Sequence, residues 1–283
     1  MYAFPIGVML DSFRLDTKTA IERAAALGAH GLQMYATSGE YAPEHLTAER
    51  RRALLDMVKS NGLVFSALCG DLGEGFGNRE RNPALIEKSK RIMTLAKELE
   101  TDIVTTHIGV IPSDPSHERY KIMREACFEL SAFADGIGSR FAVETGPEPA
   151  LTLKGFLDGL GSKGVAVNMD PANFVMVTGD DPVAAVYTLQ EYIVHTHAKD
   201  GRKLSECDPE AIYGVIEAAI QEGRAFAELP LGEGDVDFDN YLKALDDVGY
   251  KGFLTIEREV GANPTEDIAN AAAFLKSRLN APA

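Results

Sequence analysis

The chain has 283 residues, of which 45% are hydrophobic and 25% are charged, a composition typical of a globular protein. Its formal net charge of −15 argues against a nucleic-acid partner, because a phosphate backbone is bound by clustered lysine and arginine. No apolar run reaches the roughly 18 residues that span a bilayer, and the N-terminus lacks the basic segment of a secretory signal. The three cysteines are widely spaced without a CxxC pair, so we expect a cytoplasmic protein with no disulfide framework and no membrane partner.

Short apolar runs rich in β-branched and aromatic residues alternate along the chain with segments of helical periodicity. Eight such runs predict strands at 4–10, 30–35, 63–69, 102–107, 139–144, 164–169, 192–197 and 252–257. Helical patterns follow at 17–27, 47–60, 83–99, 117–135, 239–248 and 264–279. This alternation predicts an α/β fold, a (β/α)8 TIM barrel that forms a single domain over residues 1–283. An open doubly wound sheet is the alternative.

Two connections between the predicted elements stand out. Residues 198–238 separate the seventh strand from its helix, and a helical pattern of their own runs over 209–222. The glycine-rich run at 70–77 follows the third strand and fits no dinucleotide-binding fingerprint. Long barrel loops usually carry function or form lids, so we expect both segments near a functional site.

Titratable side chains collect at the ends of the fifth to eighth predicted strands. An isolated acidic residue after a strand more often caps a helix, but here four successive strands end in such groups, namely Glu144, Asp170, His197 and Glu257. Because the carboxyl ends of the strands meet at one face of a barrel, these groups are expected to converge there. A mixed set of oxygen and nitrogen ligands suits Mn²⁺, Mg²⁺, Co²⁺ or Zn²⁺. The sequence therefore predicts a divalent metal site.

Three histidines lie near this face, and the sequence suggests a different role for each of them. His195 and His197 lie two residues apart and share one side of the seventh strand. His197 is nearer the carboxyl end and is the predicted ligand, whereas His195 is interpreted as a buried, hydrogen-bonded core residue. His107 ends the fourth strand, where it either contacts the substrate or has a structural role.

Several motifs resemble those of a known group of enzymes. The segments are AVETG around Glu144, VNMDPANF around Asp170, HTHAKDGR around His197, LGEGDVDF at 231–238 and LTIERE around Glu257. They are similar to the xylose isomerase-like TIM barrel superfamily, in particular its sugar isomerases and epimerases related to ketose 3-epimerases. The resemblance covers nearly the whole chain.

The resemblance implies one divalent metal ion, most often Mn²⁺, held by the residues at the four matching positions, Glu144, Asp170, His197 and Glu257. It also points to substrate-binding positions. Asn173 stands where the ketose 3-epimerases carry a histidine, and Lys203, beside Arg202, stands where they carry an arginine. With His107, these three residues form the predicted substrate-binding set. Lys199, Arg202 and Lys203 are also candidates for meeting a phosphate, although on a loop they are equally compatible with solvated charges.

These features lead to a predicted function. A metal that chelates a carbonyl oxygen and a neighbouring hydroxyl stabilises the enediolate left by proton loss. Glu144 and Glu257, on different sides of the barrel mouth, are the predicted acid and base. We therefore expect a metal-dependent isomerase or epimerase with a small sugar or polyol as its partner, and a homo-oligomer is compatible with this fold.

Three alternatives to this function stay open on sequence grounds. A dehydratase or lyase acting on a keto-inositol or keto-sugar would use the same metal and bases. A non-catalytic sugar-binding barrel would keep the fold without the chemistry. An endonuclease IV-like enzyme would need about three metal ions and more histidines than the six present.

Overall fold

The computed structural model describes residues 2–216 and 225–279. Within them the strands in chain order are β1 (Ile6–Met9), β2 (Gly31–Tyr35), β3 (Val64–Cys69), β4 (Ile103–Thr106), β5 (Arg140–Glu144), β6 (Val165–Met169), β7 (Ile193–Ala198), β8 (Asp200–Lys203), β9 (Phe226–Leu229) and β10 (Leu254–Ile256). Eight of them close into a parallel barrel in the order β1-β10-β7-β6-β5-β4-β3-β2. All eight predicted strands lie in this barrel. The predicted (β/α)8 fold is confirmed, and the open sheet is excluded.

Helices alternate with the barrel strands. They are α1 (Thr17–Ala26), α2 (Ala48–Ser60), α3 (Asn82–Glu98), α4 (Glu118–Ile137), α5 (Ala150–Asp158), α6 (Pro171–Asn173), α7 (Pro182–Leu189), α8 (Pro209–Ile212), α9 (Phe238–Asp247) and α10 (Pro264–Lys276). Several begin after an Asp or Thr whose side chain accepts a backbone N–H of the first turn, as Asp16 and Thr47 do. Among the described residues, no helix combines the length and apolar content needed to cross a bilayer.

A band of polar side chains is buried inside the barrel. Large apolar residues such as Phe141 and Tyr241 are fully buried in the surrounding core. The strands nevertheless carry buried polar residues that are at most 1% exposed, namely Gln33, Thr105, Asn168, His195 and Thr255. A buried polar group costs stability unless it is hydrogen-bonded. These residues therefore require hydrogen-bond partners inside the barrel. Gln33 donates to Thr105, and His195 is hydrogen-bonded to Asn168 and Thr255.

The long connection at 198–238 contains a hairpin that the sequence did not predict. Strands β8 and β9 pair antiparallel, with Asp200 opposite Leu229. The Asp200 carboxylate accepts backbone N–H groups from four residues, Gly201, Gly232, Gly234 and Val236. A Cβ on Gly234 would lie 2.0 Å from Asp200 Oδ1, so only glycine fits there. The LGEGDVDF motif is thus anchored to Asp200 at the start of β8.

The helical pattern at 209–222 is observed only in part. Helix α8 ends at Ile212, and residues 213–216 form no helix. Residues 217–222 lie outside the described part of the chain. Tyr213 follows the short helix directly, and its ring lies next to the ring of His107 at the end of β4.

Replacing Gly164 with alanine is expected to destabilise the barrel. A Cβ there would lie 2.1 Å from the backbone oxygen of Ser131 in α4, and neither backbone can move freely. We expect a loss of about 1–3 kcal/mol in the free energy of unfolding, as overpacking usually costs. Gly155→Ala is the matched control because its Cβ would meet no atom within 4 Å. It should leave stability unchanged or raise it by about 0.4–1 kcal/mol. Urea denaturation measures both, and equal stability of the two variants would contradict this packing.

Candidate metal centre

The four predicted ligands converge at the carboxyl face of the barrel. Glu144 ends β5, Asp170 follows β6, His197 lies in β7 and Glu257 follows β10. All four are buried, and one ligand atom from each lies within 4.8 Å of the others. The strand order brings this about, because β5, β6, β7 and β10 are consecutive neighbours in the barrel. The side chains therefore form an arc over half of the barrel mouth.

His197 Nδ1 stands at the centre of this arc. It lies 3.6 Å from Glu144 Oε2, 3.4 Å from Asp170 Oδ2 and 3.3 Å from Glu257 Oε2. Both His197 Nδ1 and Asp170 Oδ2 are buried without a hydrogen-bond partner. Buried groups of this kind usually have partners, and carboxylates this close repel one another. A divalent cation would satisfy the orphaned atoms and offset the repulsion, so the residues present fit a metal ion.

A buried amide sets the orientation of the His197 ring. Gln33 Nε2 donates to Thr105 Oγ1 at 2.8 Å, which turns Gln33 Oε1 toward the imidazole. His197 Nε2 lies 3.1 Å from that oxygen and donates to it. Nε2 therefore carries a proton. Although burial lowers the pKa of His197, the charges of Glu257 and Glu144 raise it well above its ordinary value, and with a metal bound the lone pair of Nδ1 would face the ion. Partners of this kind fix the tautomer of a metal-binding histidine.

His195 belongs to a second buried chain of hydrogen bonds. Its Nδ1 donates to Asn168 Oδ1 at 2.8 Å, and its Nε2 accepts from Thr255 Oγ1 at 2.9 Å. Asn168 Nδ2 in turn lies 3.2 Å from Glu144 Oε2. Burial, together with the neighbouring His197, holds the pKa of His195 well below its ordinary value. His195 is thus a neutral core histidine that supports the ligand Glu144 through Asn168.

Asn173 contacts a ligand directly. Its Nδ2 donates to Glu144 Oε1 at 2.8 Å, and Asp170 Oδ1 accepts the backbone N–H of Asn173 at 3.0 Å. Gly146 has a φ of +125° and packs against Asn173, where a Cβ would come within 2.3 Å of the asparagine Cβ. The loop after β5 and the start of α6 therefore fit together only without a side chain at position 146. Asn173 lines the cavity and also orients Glu144.

A cavity of about 200 Å³ opens over the ligands. His107 lines it, with Nδ1 donating to Asp71 Oδ2 at 2.9 Å and Nε2 3.6 Å from Glu144 Oε1. Although burial alone lowers the pKa of His107, the charges of Glu144 and Asp71 raise it to about 9. The ring of Tyr213 lies 5.6 Å from the imidazole, centroid to centroid. The glycine-rich run at 70–77 thus supplies Asp71, and the long connection supplies Tyr213.

The two glutamate ligands differ in their electrostatic surroundings. Burial raises the pKa of Glu144 to about 7, with opposition from the nearby histidines. Burial also acts on Glu257, but His197 and Lys199 outweigh it and hold the pKa of Glu257 well below its ordinary value. Lys199 Nζ lies 3.0 Å from Glu257 Oε2. The two carboxylates at the ends of the arc are therefore chemically distinct.

Arg202 and Lys203 lie away from this cavity. They belong to the β8–β9 hairpin, and neither is among the described residues that line the cavity. Arg202 Nε contacts Asp235 Oδ1 at 2.8 Å, and Lys203 Nζ contacts Glu206 Oε2 at 2.7 Å. Of the predicted substrate-binding set, the structure therefore brings only His107 and Asn173 to the cavity.

Several cavity residues were not singled out in the sequence. Gln33 had a usable signal, because a polar amide interrupts the apolar strand GLQMY. Asp71 lies in a loop that was expected near the site, but nothing in the sequence pairs it with His107. Tyr213, Glu228 and Glu259 also line the cavity and carry no local signature. Their positions depend on long connections that local patterns do not describe.

The family model described as xylose isomerase-like TIM barrel matches residues 21–278. An inosose dehydratase of Clostridium perfringens (strain 13 / Type A) is 30% identical over 109 residues, which cover 38% of this chain and 36% of that protein. The match thus spans about a third of that relative's length.

Two solved structures share the whole fold. A xylose isomerase domain protein from Planctomyces limnophilus has a TM-score of 0.79 and 25% identity, covering 98% of this chain and 96% of its own. A D-psicose 3-epimerase determined in the presence of D-fructose has a TM-score of 0.73 and 16% identity, covering 97% and 99%. At that identity, the second likeness concerns the fold alone.

Matched variants of the two strand-seven histidines should separate their roles. His197→Gln removes the unpartnered Nδ1 and is expected to weaken Mn²⁺ binding by at least about 100-fold. His195→Gln removes only a supporting partner, which typically costs about 10- to 100-fold or less in metal affinity. It should instead lower the unfolding temperature, since Asn168 or Thr255 loses a buried hydrogen bond. Isothermal titration calorimetry with Mn²⁺ measures the difference. A larger loss for His195→Gln than for His197→Gln would contradict the assigned ligands.

Proposed function

Because the chain belongs to the xylose isomerase-like TIM barrel family, we propose that it is a metal-dependent enzyme that moves a proton next to the carbonyl of a small sugar-like substrate. One observation carries the proposal, the buried arc of Glu144, Asp170, His197 and Glu257 with two atoms lacking partners. Mn²⁺ is the proposed ion, and the oxygen and nitrogen donor set is also compatible with Mg²⁺, Co²⁺ or Zn²⁺.

The proposed chemistry needs a Lewis acid and a base on either side of the reacting carbon. A divalent cation at this site would stabilise the negative charge that develops on a carbonyl oxygen as the neighbouring proton leaves. Glu144 and Glu257 stand at the two ends of the ligand arc, with Asp170 and His197 between them. One carboxylate takes the proton from carbon, and the other returns a proton to the opposite face or to the adjacent carbon. The first outcome is epimerisation and the second is isomerisation.

Other cavity residues would orient the substrate. His107 is held by Asp71 and faces the cavity, where it can hydrogen-bond a substrate hydroxyl. Asn173 lies beside it and keeps Glu144 in place. Tyr213 and Ile212 from the long connection also line the cavity, where they would contact the substrate. A cavity of about 200 Å³ suits a substrate the size of a single sugar ring.

A dehydratase is the second candidate, and a specific observation favours it. The local sequence match is to proteins named inosose dehydratase. The same proton abstraction would begin that reaction, and loss of a hydroxyl from the next carbon together with a proton would then release water. Asn173 stands where the ketose 3-epimerases carry a histidine, and this difference also argues against epimerisation of a free ketose. The product distinguishes the two candidates, because isomerisation conserves mass whereas dehydration removes one water.

Turnover in heavy water tests this function. The Mn²⁺-loaded protein is incubated in D₂O with an inosose and with D-fructose, and the products are analysed by NMR and mass spectrometry. For isomerisation or epimerisation we expect a product with the substrate's composition except that one hydrogen, at the carbon that exchanges its proton, is replaced by deuterium. For dehydration we expect the loss of one water. An isomerised or epimerised product without deuterium would refute proton transfer through exchangeable carboxylates. Mn²⁺ binding without exchange on any sugar of a wider panel would favour a non-catalytic sugar-binding barrel.

Replacing either terminal glutamate is expected to abolish turnover. Glu144→Gln and Glu257→Gln each remove a carboxylate that acts as base or acid, and we expect a loss of at least about 100-fold in kcat, as for other general acids and bases. Glu148→Gln is the matched control on the same loop. Burial raises the pKa of Glu148 to about 8, so glutamine mimics its neutral form at pH 7. That variant should keep turnover near the wild-type rate. An active Glu144→Gln or Glu257→Gln would remove that residue from the proposed role.

A further inference from the structure

Negative charge dominates the cavity. The carboxylates that line it are Asp71, Glu144, Glu228, Glu257 and Glu259, and Asp170 lies buried beside them. Among the described lining residues, Lys199 is the one lysine, and no arginine is present. A divalent ion, Lys199 and a protonated His107, whose pKa is raised to about 9, would together still leave the six carboxylates in excess. The interior therefore carries a negative potential that an entering anion would meet.

Lys199 is enclosed by carboxylates. Its side chain is 4% exposed. Its Nζ contacts Glu257 Oε2 at 3.0 Å, Glu228 Oε2 at 4.0 Å and also Glu259 Oε2. Glu257 is a proposed metal ligand and Glu228 is buried, whereas the side chain of Glu259 is 60% exposed. Glu259 is thus the most exposed of the three carboxylates that Lys199 contacts, and it lines the cavity.

The loop that carries Glu259 is fixed in place. Its backbone N–H donates to Glu228 Oε1 at 3.1 Å, and its carbonyl accepts from Arg14 Nη2 at 2.6 Å. Arg258 is likewise engaged, with Glu228 Oε1 at 2.7 Å and Asp267 Oδ2 at 2.8 Å. The described cations around the cavity therefore already have acceptors. A phosphate or carboxylate group on a substrate would have to displace one of them.

We propose that this cavity selects an uncharged polyhydroxy carbonyl compound, and that Glu259 sets this specificity by neutralising Lys199 at the opening. The inference rests on the proposed function, whose substrate class it narrows. Phosphorylated sugars and keto acids are anions, and the negative charge of the cavity would repel them. In recognition sites, repulsion between like charges acts chiefly against the wrong partner. Arg202 and Lys203, the other candidates for a phosphate, are paired with Asp235 and Glu206 outside the cavity.

Sulfate is a suitable probe, because it is a tetrahedral dianion whose charge does not change near neutral pH. Its affinity for the Mn²⁺-loaded full chain is measured by isothermal titration calorimetry at constant ionic strength. The variants are Glu259→Gln, which unmasks Lys199, and Glu206→Gln, which unmasks Lys203 outside the cavity. We expect Glu259→Gln to bind sulfate about tenfold more tightly than the wild type, as removal of one like charge near a partly buried cation allows. Glu206→Gln should match the wild type.

A double variant locates the effect. Glu259→Gln combined with Lys199→Gln should lose the gain in sulfate affinity if the unmasked lysine is responsible. Thermal unfolding of each variant shows that the fold is kept. Equal gains for Glu259→Gln and Glu206→Gln would overturn the proposal, since the effect would then follow from net charge alone. No gain for Glu259→Gln would overturn the role of Glu259.

Turnover gives a second readout that separates this inference from the proposed function. An enzyme that epimerises, isomerises or dehydrates a neutral sugar should have a kcat/KM at least about tenfold lower for its phosphate ester. A preference for the ester would overturn the inference while leaving proton-transfer chemistry intact. Failure of all turnover, with the sulfate results as expected, would instead count against the proposed function alone.

Discussion

The repulsion among three buried carboxylates is the constraint on which the functional face depends. Glu144, Asp170 and Glu257 surround an imidazole nitrogen that has no hydrogen-bond partner. In water such groups would separate, but the closed barrel fixes the strand ends and therefore the distances between them. Burying like charges together costs free energy that a bound cation recovers. The site is thus a feature that the fold maintains at the expense of local stability.

Neutral hydrogen-bonding groups hold the His197 ring and the Glu144 carboxylate in one orientation. The chain Thr105–Gln33–His197 fixes one tautomer, and Asn168 links Glu144 to the neutral His195. Because these amides and hydroxyls carry no charge, they orient the ligands without adding to the repulsion. The other carboxylates that line the cavity, Asp71, Glu228 and Glu259, have a separate proposed effect, because their negative charge would repel an anionic substrate. The proposed metal binding therefore depends on the four strand-end residues, and the proposed substrate selection depends on Glu259 and Lys199 beside them.

Local patterns were sufficient for the barrel and for the convergence of the four proposed ligands, because both follow from short-range periodicity. The eight apolar runs predicted the strands. In a parallel barrel the carboxyl ends of all strands lie at one face, where active sites form. The same logic preferred His197 to His195 two residues earlier. Arg202 and Lys203 were proposed from the family resemblance instead, and the unpredicted β8–β9 hairpin that carries them lies outside the lining of the cavity. Asp71 and Glu259 were missed because their partners, His107 and Lys199, are distant in the sequence.

The central claim is that one divalent ion is held by the four strand-end residues. Anomalous diffraction from a crystal soaked with Mn²⁺ tests it most directly, because the signal locates the metal independently of any activity. We predict a single strong peak within about 2.0–2.3 Å of His197 Nδ1 and of one oxygen each from Glu144, Asp170 and Glu257. No peak at this position, or a peak held by other residues with these four unliganded, would contradict the account.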